Sequence, residues 1–314
     1  MIKSEICELL GIEYPVFQGG MAWIADGELA AAVSNGGGLG IIAAGNAPAD
    51  YVSQQIEIAR KLTDKPIGLN IMLMSPFADE VAEVAANAGV EVITTGAGNP
   101  TKYMEKWLGS GAKVIPVVAS VAMAKLMKKV GASAVIAEGG ESGGHIGELT
   151  TMVLVPQVAD AVDLPVVAAG GIADGRGMAA ALMLGACAVQ VGTRFLSAEE
   201  CNIHPTYKEK IIKATDLCTM VTGKKLGHPV RSLRTEFSRN YAKAEYTDIP
   251  DDDLEKMGNG ALRLAVQEGD LKKGCFLAGQ SAGMVHKVQP AAEIIKEITE
   301  EAELVLKGAA KWVK

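Results

Sequence analysis

The sequence predicts an α/β fold, a (β/α)8 TIM barrel with a small, mainly helical domain inserted after the eighth strand. Three observations support this prediction. Short apolar runs recur about every 25 residues between Pro15 and Ala188, as expected of strand–helix units. Helical patterns separate the runs, and glycine collects where the runs end.

Each apolar run is typical of a strand that is buried on both faces of a parallel sheet. The eight runs begin near Pro15, Leu39, Pro66, Glu91, Lys113, Ala134, Pro165 and Ala188. Glycines that favour a left-handed helix end follow four of the helical segments, at Gly36, Gly89, Gly131 and Gly185. A doubly wound sheet is the alternative, but it would not explain eight evenly spaced units.

The composition changes after the eighth run. Charged residues are about twice as dense in 199–275 as in 1–198, and 199–275 shows helical stretches with little strand pattern. We therefore expect a barrel formed by 1–198 and 276–314, with a small helical domain at 199–275. The amphipathic stretch 290–314 predicts a helix that packs back on the barrel.

Charge and cysteine content exclude several classes of protein. The net charge of −7 disfavours nucleic acid as the main partner. Five cysteines without a C-x-x-C pair disfavour a disulfide framework or a zinc site. Lys3, Glu5 and Glu8 precede any long apolar run, so no signal peptide is expected, and no run is apolar enough to span a membrane. These features predict a cytoplasmic protein.

The glycines at the strand ends predict the active site, because barrel enzymes use the loops at that end. Several such glycines together favour a broad, flat ligand that presses against backbone. They are Gly19, Gly20, Gly45, Gly96, Gly98, Gly139, Gly140, Gly143, Gly144, Gly170, Gly171 and Gly192.

The loops after the seventh and eighth predicted strands have the pattern of a phosphate site. They read AGGIADG at 169–175 and QVGTR at 190–194. Backbone N–H groups at these two loops bind phosphate in many barrels. Ordinary turn glycines are the alternative for either loop alone.

One histidine lies in a glycine-rich loop after the sixth predicted strand, EGGESGGHIG at 138–147. His145 is therefore positioned for proton transfer at the barrel mouth. The alternative is that it only hydrogen-bonds a cofactor or caps a turn. His204 and His286 are expected on the surface.

These motifs together resemble the flavin-dependent enoyl-acyl-carrier-protein reductases II, which are grouped with the nitronate monooxygenases. The resemblance covers nearly the whole chain. Its motifs are GGMAW (19–23), AAAVSNGGGLGIIAAG (30–45), GLNIML (68–73), TTGAGNPTKY (94–103), ESGGHIG (141–147), AAGGIADGRGMAAAL (168–182), VQVGTRF (189–195), VTGKKLGHPVRSLRTEF (221–237) and GQSAG (279–283). Gly140 departs from the family pattern, because a bulkier residue is expected at this position in the loop of the reductases.

The resemblance implies FMN at the barrel mouth. The FMN phosphate would lie on the backbone of Gly170, Gly171, Gly192 and Thr193, and the ring would be contacted by Gly20, Met21, Ala22, Asn70 and Gln190. Glu138, Gly143, Gly144, Gln280 and Ser281 would approach the ribityl chain or the ring edge, or close over the site. The alternatives are a loop cap for Asn70, ordinary core for Met21 and a structural acceptor for Glu138.

The resemblance also implies a reaction, in which NADH or NADPH reduces FMN and a hydride then reaches the β-carbon of a trans-2-enoyl thioester. His145 would supply a proton or polarise the thioester carbonyl. The basic residues Lys224, Lys225, Arg231 and Arg234 would face an acidic acyl carrier protein, or form an ordinary solvated surface, and His228 would face the entrance. Family members form homodimers and can respond to a monovalent cation.

Three other functions compete with the reductase. A nitronate monooxygenase shares FMN and the histidine, which acts there as a base, and consumes O₂. A barrel like inosine-monophosphate dehydrogenase needs a nucleophilic cysteine where this chain has Ser142 or His145. A phosphate-ligand sensor or flavin-storage protein would leave the histidine incidental. The segment 221–237 favours the reductase.

Overall fold

The strands begin where the apolar runs predict them. The computed structural model describes residues 2–313. The strands in this range are β1 (Val16–Gln18), β2 (Gly40–Ala43), β3 (Ile67–Met72), β4 (Val92–Gly96), β5 (Lys113–Val118), β6 (Val135–Glu138), β7 (Gly144–His145), β8 (Val166–Ala169), β9 (Ala188–Val191), β10 (Thr219–Thr222) and β11 (Val230–Leu233). Because β7 is an additional short strand, the seventh and eighth predicted strands are β8 and β9.

Within residues 2–313, eight parallel strands pair in the order β1-β9-β8-β6-β5-β4-β3-β2. The two ends of this sheet meet, since Gln18 N–H donates to Leu39 O and Leu39 N–H donates to Val16 O, both at 2.9 Å. The sheet is therefore closed. This confirms the (β/α)8 barrel and excludes the doubly wound alternative.

Helices connect the barrel strands, and the first helix closes the lower end of the barrel; further helices lie in the 199–275 segment and at the C-terminal end. They are α1 (Glu5–Leu10), α2 (Gly27–Asn35), α3 (Ala49–Leu62), α4 (Ala78–Asn87), α5 (Thr101–Gly109), α6 (Val121–Lys129), α7 (Thr151–Ala161), α8 (Gly175–Met183), α9 (Pro205–Ile212), α10 (Glu236–Glu245), α11 (Asp251–Gly258), α12 (Ala261–Arg263) and α13 (Ala291–Lys307). Ile6 and Leu10 of α1 pack into the apolar cluster of the barrel interior, with Phe17, Ile41 and Ile136. The opposite end, where the strands finish, stays open.

The C-terminal helix returns to the barrel as expected. Ile294, Ile295 and Ile298 of α13 are buried, and α13 packs against α8 and α2. None of the helices in residues 2–313 combines the length and the apolar surface needed to cross a bilayer.

Three of the four predicted helix-ending glycines have a positive φ: Gly89 (66°), Gly131 (91°) and Gly185 (99°). Gly36 is different, with φ of −73°. A Cβ at Gly36 would come within 2.9 Å of Ala292 Cα. Glycine is therefore needed at position 36 for the close approach of the C-terminal helix, and the left-handed ending expected there is wrong.

The 199–275 segment contains more strand than its composition predicts. It holds α9 to α12, but also the hairpin β10–β11, whose second strand pairs antiparallel with β7. These strands have two to four residues and mix polar with apolar side chains, so they lack the alternation that would have revealed them. The boundaries of an inserted domain at 199 and 275 stay a prediction.

Candidate functional site

A cavity of about 460 Å³ opens at the strand ends of the barrel, and we call it the mouth cavity. It contains most of the residues singled out from the sequence. Those that line it are Gly20, Met21, Ala22, Asn70, Glu138, Gly143, Gly144, His145, Gly170, Gly171, Gln190, Gly192, Thr193 and Ser281. Residues from β3, β6, β8 and β9 and from the loop after β1 thus converge on one site, as expected of a barrel.

Gln280 does not line the mouth cavity. It begins a short 3₁₀ turn, in which Ser281 is buried and Gln280 is exposed. The Gln280 backbone N–H donates to Glu141 O at 2.9 Å. The turn directs neighbouring side chains to different sides, so the Gln280 side chain does not line the cavity in this structure, and its role in closing over the site stays a prediction.

The loop after β8 is built around two glycines with a positive φ, Gly170 at 96° and Gly171 at 74°. A Cβ at Gly170 would lie 2.7 Å from Gly139 O, so the two loops touch through their backbones. The Thr151 hydroxyl lies 2.9 Å from Gly170 O, and Glu141 Oε2 accepts the Thr151 N–H at 2.9 Å. The loop is held rigidly with its glycines facing the cavity.

The loop after β9 is covered by the chain that returns from the 199–275 segment. Gly279 N–H donates to the buried Thr193 Oγ1 at 2.9 Å. A Cβ at Gly143 would come within 2.7 Å of the Ala278 carbonyl carbon and of Gly279 N. The Ser142 hydroxyl oxygen is buried beside this contact and has no hydrogen-bond partner in the protein. It is therefore free to bind a ligand in the mouth cavity.

The opposite wall of the mouth cavity consists of small residues packed against polar side chains. A Cβ at Gly20 would come within 2.4 Å of Asn70 Cβ, so the backbone after β1 lies directly on Asn70. Asn70 Nδ2 donates to Thr94 Oγ1 at 2.9 Å, which fixes the amide. Met21 Sδ lies within 3.8 Å of the Cβ position of Gly192. This wall consists of backbone at Gly20 and Gly192, the apolar Met21 side chain and the Asn70 amide.

Glu138 is a carboxyl group in this apolar setting. It ends β6, lines the cavity and has its pKa raised by burial from 4.5 to about 7. The nearby Ser142 hydroxyl opposes the shift, although its geometry falls short of a hydrogen bond. Near neutral pH the carboxyl is therefore divided between its protonated and ionised forms.

The raised pKa of Glu138 makes the stability of the protein depend on pH. A protonated Glu138 is favoured in the folded state, so its stabilising effect is complete below pH 4.5 and is lost as the pH rises through about 7. In Glu138→Gln, we expect the fall in the free energy of unfolding with rising pH to be smaller by about 1–3 kcal/mol. The range is set below the full effect of the pKa shift because the carboxyl borders an open cavity, where water screens its charge. Unfolding by denaturant at pH 5 and pH 8, in ligand-free protein, measures this difference.

Glu148→Gln is the control for Glu138→Gln, because Glu148 is exposed near the same loop. It should leave the pH dependence of the unfolding free energy unchanged. An identical pH dependence in Glu138→Gln and the parent protein would contradict the assignment.

His145 lies at the rim of the mouth cavity, on β7. His145 is exposed on its outer side, but the surrounding protein partly shields its imidazole from water and lowers the pKa of His145 below 6.5, and the charge of His228 lowers it further. The imidazole is therefore mainly neutral at pH 7, with one N–H donor and one acceptor nitrogen. His228 is exposed and close to His145, so the expectation that it faces the entrance agrees with its position.

The basic residues at 224–234 do not form one free patch. Arg231 donates two hydrogen bonds to Gly140 O, and Arg234 Nε donates to Thr219 O at 3.0 Å. Lys225 Nζ donates to Ile249 O and pairs with Asp251 at 3.6 Å. These side chains therefore hold the local fold. No local pattern predicts the Arg231 contact, because its partner Gly140 lies 91 residues away in the sequence.

Comparisons of the sequence and the structure with known proteins point to one family and one fold. The model of the nitronate monooxygenase family matches residues 3–88 and 75–301. A structure of FabK from Thermotoga maritima is 50% identical, with a TM-score of 0.97 over 100% of both chains. A structure of a nitroalkane oxidase from Streptomyces ansochromogenes is 28% identical, with a TM-score of 0.86 over 96% of this chain and 99% of that one.

A curated relative from Mycobacterium tuberculosis carries the name (3aS,4S,5R,7aS)-5-hydroxy-7a-methyl-1-oxo-octahydro-1H-indene-4-carboxyl-CoA dehydrogenase. It is 32% identical, and the alignment covers 100% of this chain and 99% of the relative. The similar proteins therefore share one fold along their whole length, but their names describe different substrates.

Proposed function

Because this chain belongs to the nitronate monooxygenase family and is an oxidoreductase, we propose that it reduces trans-2-enoyl-acyl-carrier-protein thioesters with FMN and NADH or NADPH. The 50% identity to FabK over the full length of both chains is the observation that carries this proposal. The relative from Mycobacterium tuberculosis, named for a carboxyl-CoA substrate, adds support for a thioester.

The residues of the mouth cavity fit FMN. The glycine backbone at Gly170 and Gly171 suits a phosphate, and the bare backbone at Gly20 beside the apolar Met21 side chain suits the ring. The unpartnered Ser142 hydroxyl supplies a polar contact that the protein itself leaves unused. When bound, FMN supplies the hydride chemistry, and the protein orients the reactants and sets the charges around them.

His145 and Glu138 are the two titratable side chains that line the mouth cavity within residues 2–313. A neutral His145 donates its ring N–H to the thioester carbonyl oxygen and stabilises the negative charge that develops there. Glu138 can hold a proton on its carboxyl oxygen near neutral pH. The site therefore combines His145, which polarises the carbonyl, with Glu138, which can carry a proton.

The apolar lining helps to exclude water from the reacting atoms. Met72 of β3, Val117 of β5 and Met123 of α6 line one wall of the cavity. Such a wall suits an acyl group, and low polarity strengthens the hydrogen bond from His145. The partner that delivers the thioester is proposed to be the acyl carrier protein, with the enzyme acting in the cytoplasm as a homodimer.

Two assays on the purified yellow protein test the proposed reaction. We expect NADH or NADPH to be oxidised when crotonyl thioester is added. We expect no such oxidation when a nitronate is added in its place. The measurement is the absorbance loss at the nicotinamide band, with the O₂ concentration followed in parallel. O₂ uptake that requires a nitronate, without enoyl-dependent oxidation, would overturn the reductase assignment.

Nitronate oxidation is the second candidate, and the family match together with the nitroalkane oxidase structure favours it. Where the substrate enters as the neutral nitroalkane, a neutral His145 would act as the base that takes its α-proton and so forms the nitronate. This reaction needs O₂ and no nicotinamide cofactor, so the same two assays separate the candidates. Adding a monovalent cation tests whether either activity depends on one.

A further inference from the structure

The loop that carries His145, residues 139–147, is held by a strand from a distant part of the chain. In the pairing of β7 with β11, His145 lies opposite Val230 and Gly144 lies opposite Arg231. Ile146 N–H continues this ladder by donating to Pro229 O at 3.0 Å. The position of the His145 backbone thus depends on the β10–β11 hairpin.

The Arg231 side chain binds the other end of the same loop. Its Nη2 and Nε donate to Gly140 O at 2.8 and 3.2 Å, and its Nη1 lies 3.3 Å from Thr219 Oγ1 on β10. Gly140 N–H in turn donates to Leu149 O at 2.8 Å. One side chain therefore ties β10, β11 and the start of the His145 loop together.

The guanidinium group suits this connection because of its shape. It is planar and presents several N–H donors in a fixed fork, so it can bind one carbonyl twice and still reach a hydroxyl. A lysine ammonium at this position could make one strong bond but could not hold both partners in the same way. The Arg231 side chain is half-buried, and Glu141 is the nearby carboxylate that supports its charge.

A glycine at position 140 allows the contact to form. A Cβ there would lie 2.9 Å from Gly147 O, so the loop closes tightly on itself between Gly140 and Gly147. Fixing Gly140 therefore restrains the region on both sides of His145. The backbone ladder at residues 144–146 restrains the remaining part.

We infer that Arg231 is a positioning residue that fixes the His145 loop through Gly140 O and so directs the imidazole into the mouth cavity. This inference rests on the proposed function only in the role of His145 towards the thioester. The hydrogen bonds themselves predict how the loop behaves, whatever the substrate.

Three variants of the flavin-loaded enzyme test the inference: Arg231→Met, Arg231→Lys and the control Arg234→Met. Arg234 holds the same hairpin through Thr219 O but does not contact the loop. In Arg231→Met we expect the Ile146 amide to exchange hydrogen about 10- to 100-fold faster, because bonds from a charged donor to Gly140 O are lost. Arg231→Lys should show a smaller increase, and Arg234→Met none at Ile146.

Two further readouts separate positioning from general loss of stability. The pKa of His145, followed by NMR of the imidazole, should rise towards 6.5 in Arg231→Met, because the released ring becomes more hydrated. The charged group that bears on this ring is His228, and it is the same in the parent protein and in Arg231→Met. The kcat for the enoyl thioester should fall by a larger factor than the affinity for FMN, whose contacts with this loop at Gly143 and Gly144 are part of a larger site.

Unchanged exchange at Ile146 and an unchanged His145 pKa in Arg231→Met would overturn the inference. Equal effects from Arg231→Met and Arg234→Met would also overturn it, because they would show a general weakening of the hairpin. If the enzyme proves inactive on enoyl thioesters, the exchange and NMR results still decide the role of Arg231. The two hypotheses therefore fail independently.

Discussion

Replacing His145 by alanine is expected to lower turnover of the enoyl thioester by about 10²–10⁴-fold, the usual contribution of such a group. The imidazole lies at the rim of the mouth cavity, and it is the side chain in its loop best placed to bind a carbonyl oxygen there. Its removal leaves the glycine loops unchanged, so FMN should stay bound. Steady-state kinetics and flavin absorbance of the same preparation measure the two effects.

His228→Ala provides the control for His145→Ala. His228 is exposed and close to His145, but it does not line the cavity. The substitution should change turnover little at the optimum, and it should raise the pKa of His145 because a neighbouring positive charge is lost. Full activity in His145→Ala, or an equal loss in His228→Ala, would show that the imidazole of His145 is not the carbonyl-polarising group.

The fold could be predicted because its main signals are local. Each barrel strand is a nearly continuous apolar run, and each run ends in small residues where the chain must turn towards the mouth. The hairpin β10–β11 could not be predicted in the same way, since its residues are half-buried and its partner β7 lies far away in the sequence. Pairing of this kind is decided by tertiary contacts.

The candidate site shows the same division. Gly170, Gly171 and His145 stand out in the sequence because glycine pairs and a histidine at strand ends are unusual. The sequence does not distinguish the exposed Gln280 from the buried Ser281, because a 3₁₀ turn separates the directions of adjacent side chains. The link from Arg231 to Gly140 joins segments that are 91 residues apart in sequence, so no local pattern predicts it.

Replacing Gly170 by alanine is expected to weaken FMN binding by about 10²-fold, because the loop that holds the phosphate cannot keep its shape. The residue has φ of 96°, which costs an L-residue about 1–2 kcal/mol. The new Cβ would also lie 2.7 Å from Gly139 O and 3.0 Å from Thr151 Oγ1. The loop must therefore move, and each charge-assisted hydrogen bond lost to the phosphate costs about 1.5–3 kcal/mol.

Riboflavin, which lacks the phosphate, distinguishes this effect from general damage. In fluorescence titrations of the apoprotein, Gly170→Ala should bind FMN more weakly and riboflavin about as well as the parent protein does. Gly171→Ala should have a smaller effect, since its Cβ would lie 3.3 Å from Glu141 Cβ, a milder contact than the 2.7 Å approach of a Cβ at Gly170 to Gly139 O. Gly89→Ala, with φ of 66° and open space around its Cβ, controls for backbone strain outside the cavity.

If Gly170→Ala lost affinity for FMN and riboflavin equally, the phosphate would lie elsewhere. Riboflavin has no phosphate, so a loss that both ligands share would come from the ring. Unchanged FMN affinity would also place the phosphate elsewhere. The expected selective loss would instead link the glycine pair after β8 to the charged end of the cofactor. That result would fix the direction of FMN in the barrel, with its ring on the wall formed by Gly20, Met21 and Asn70.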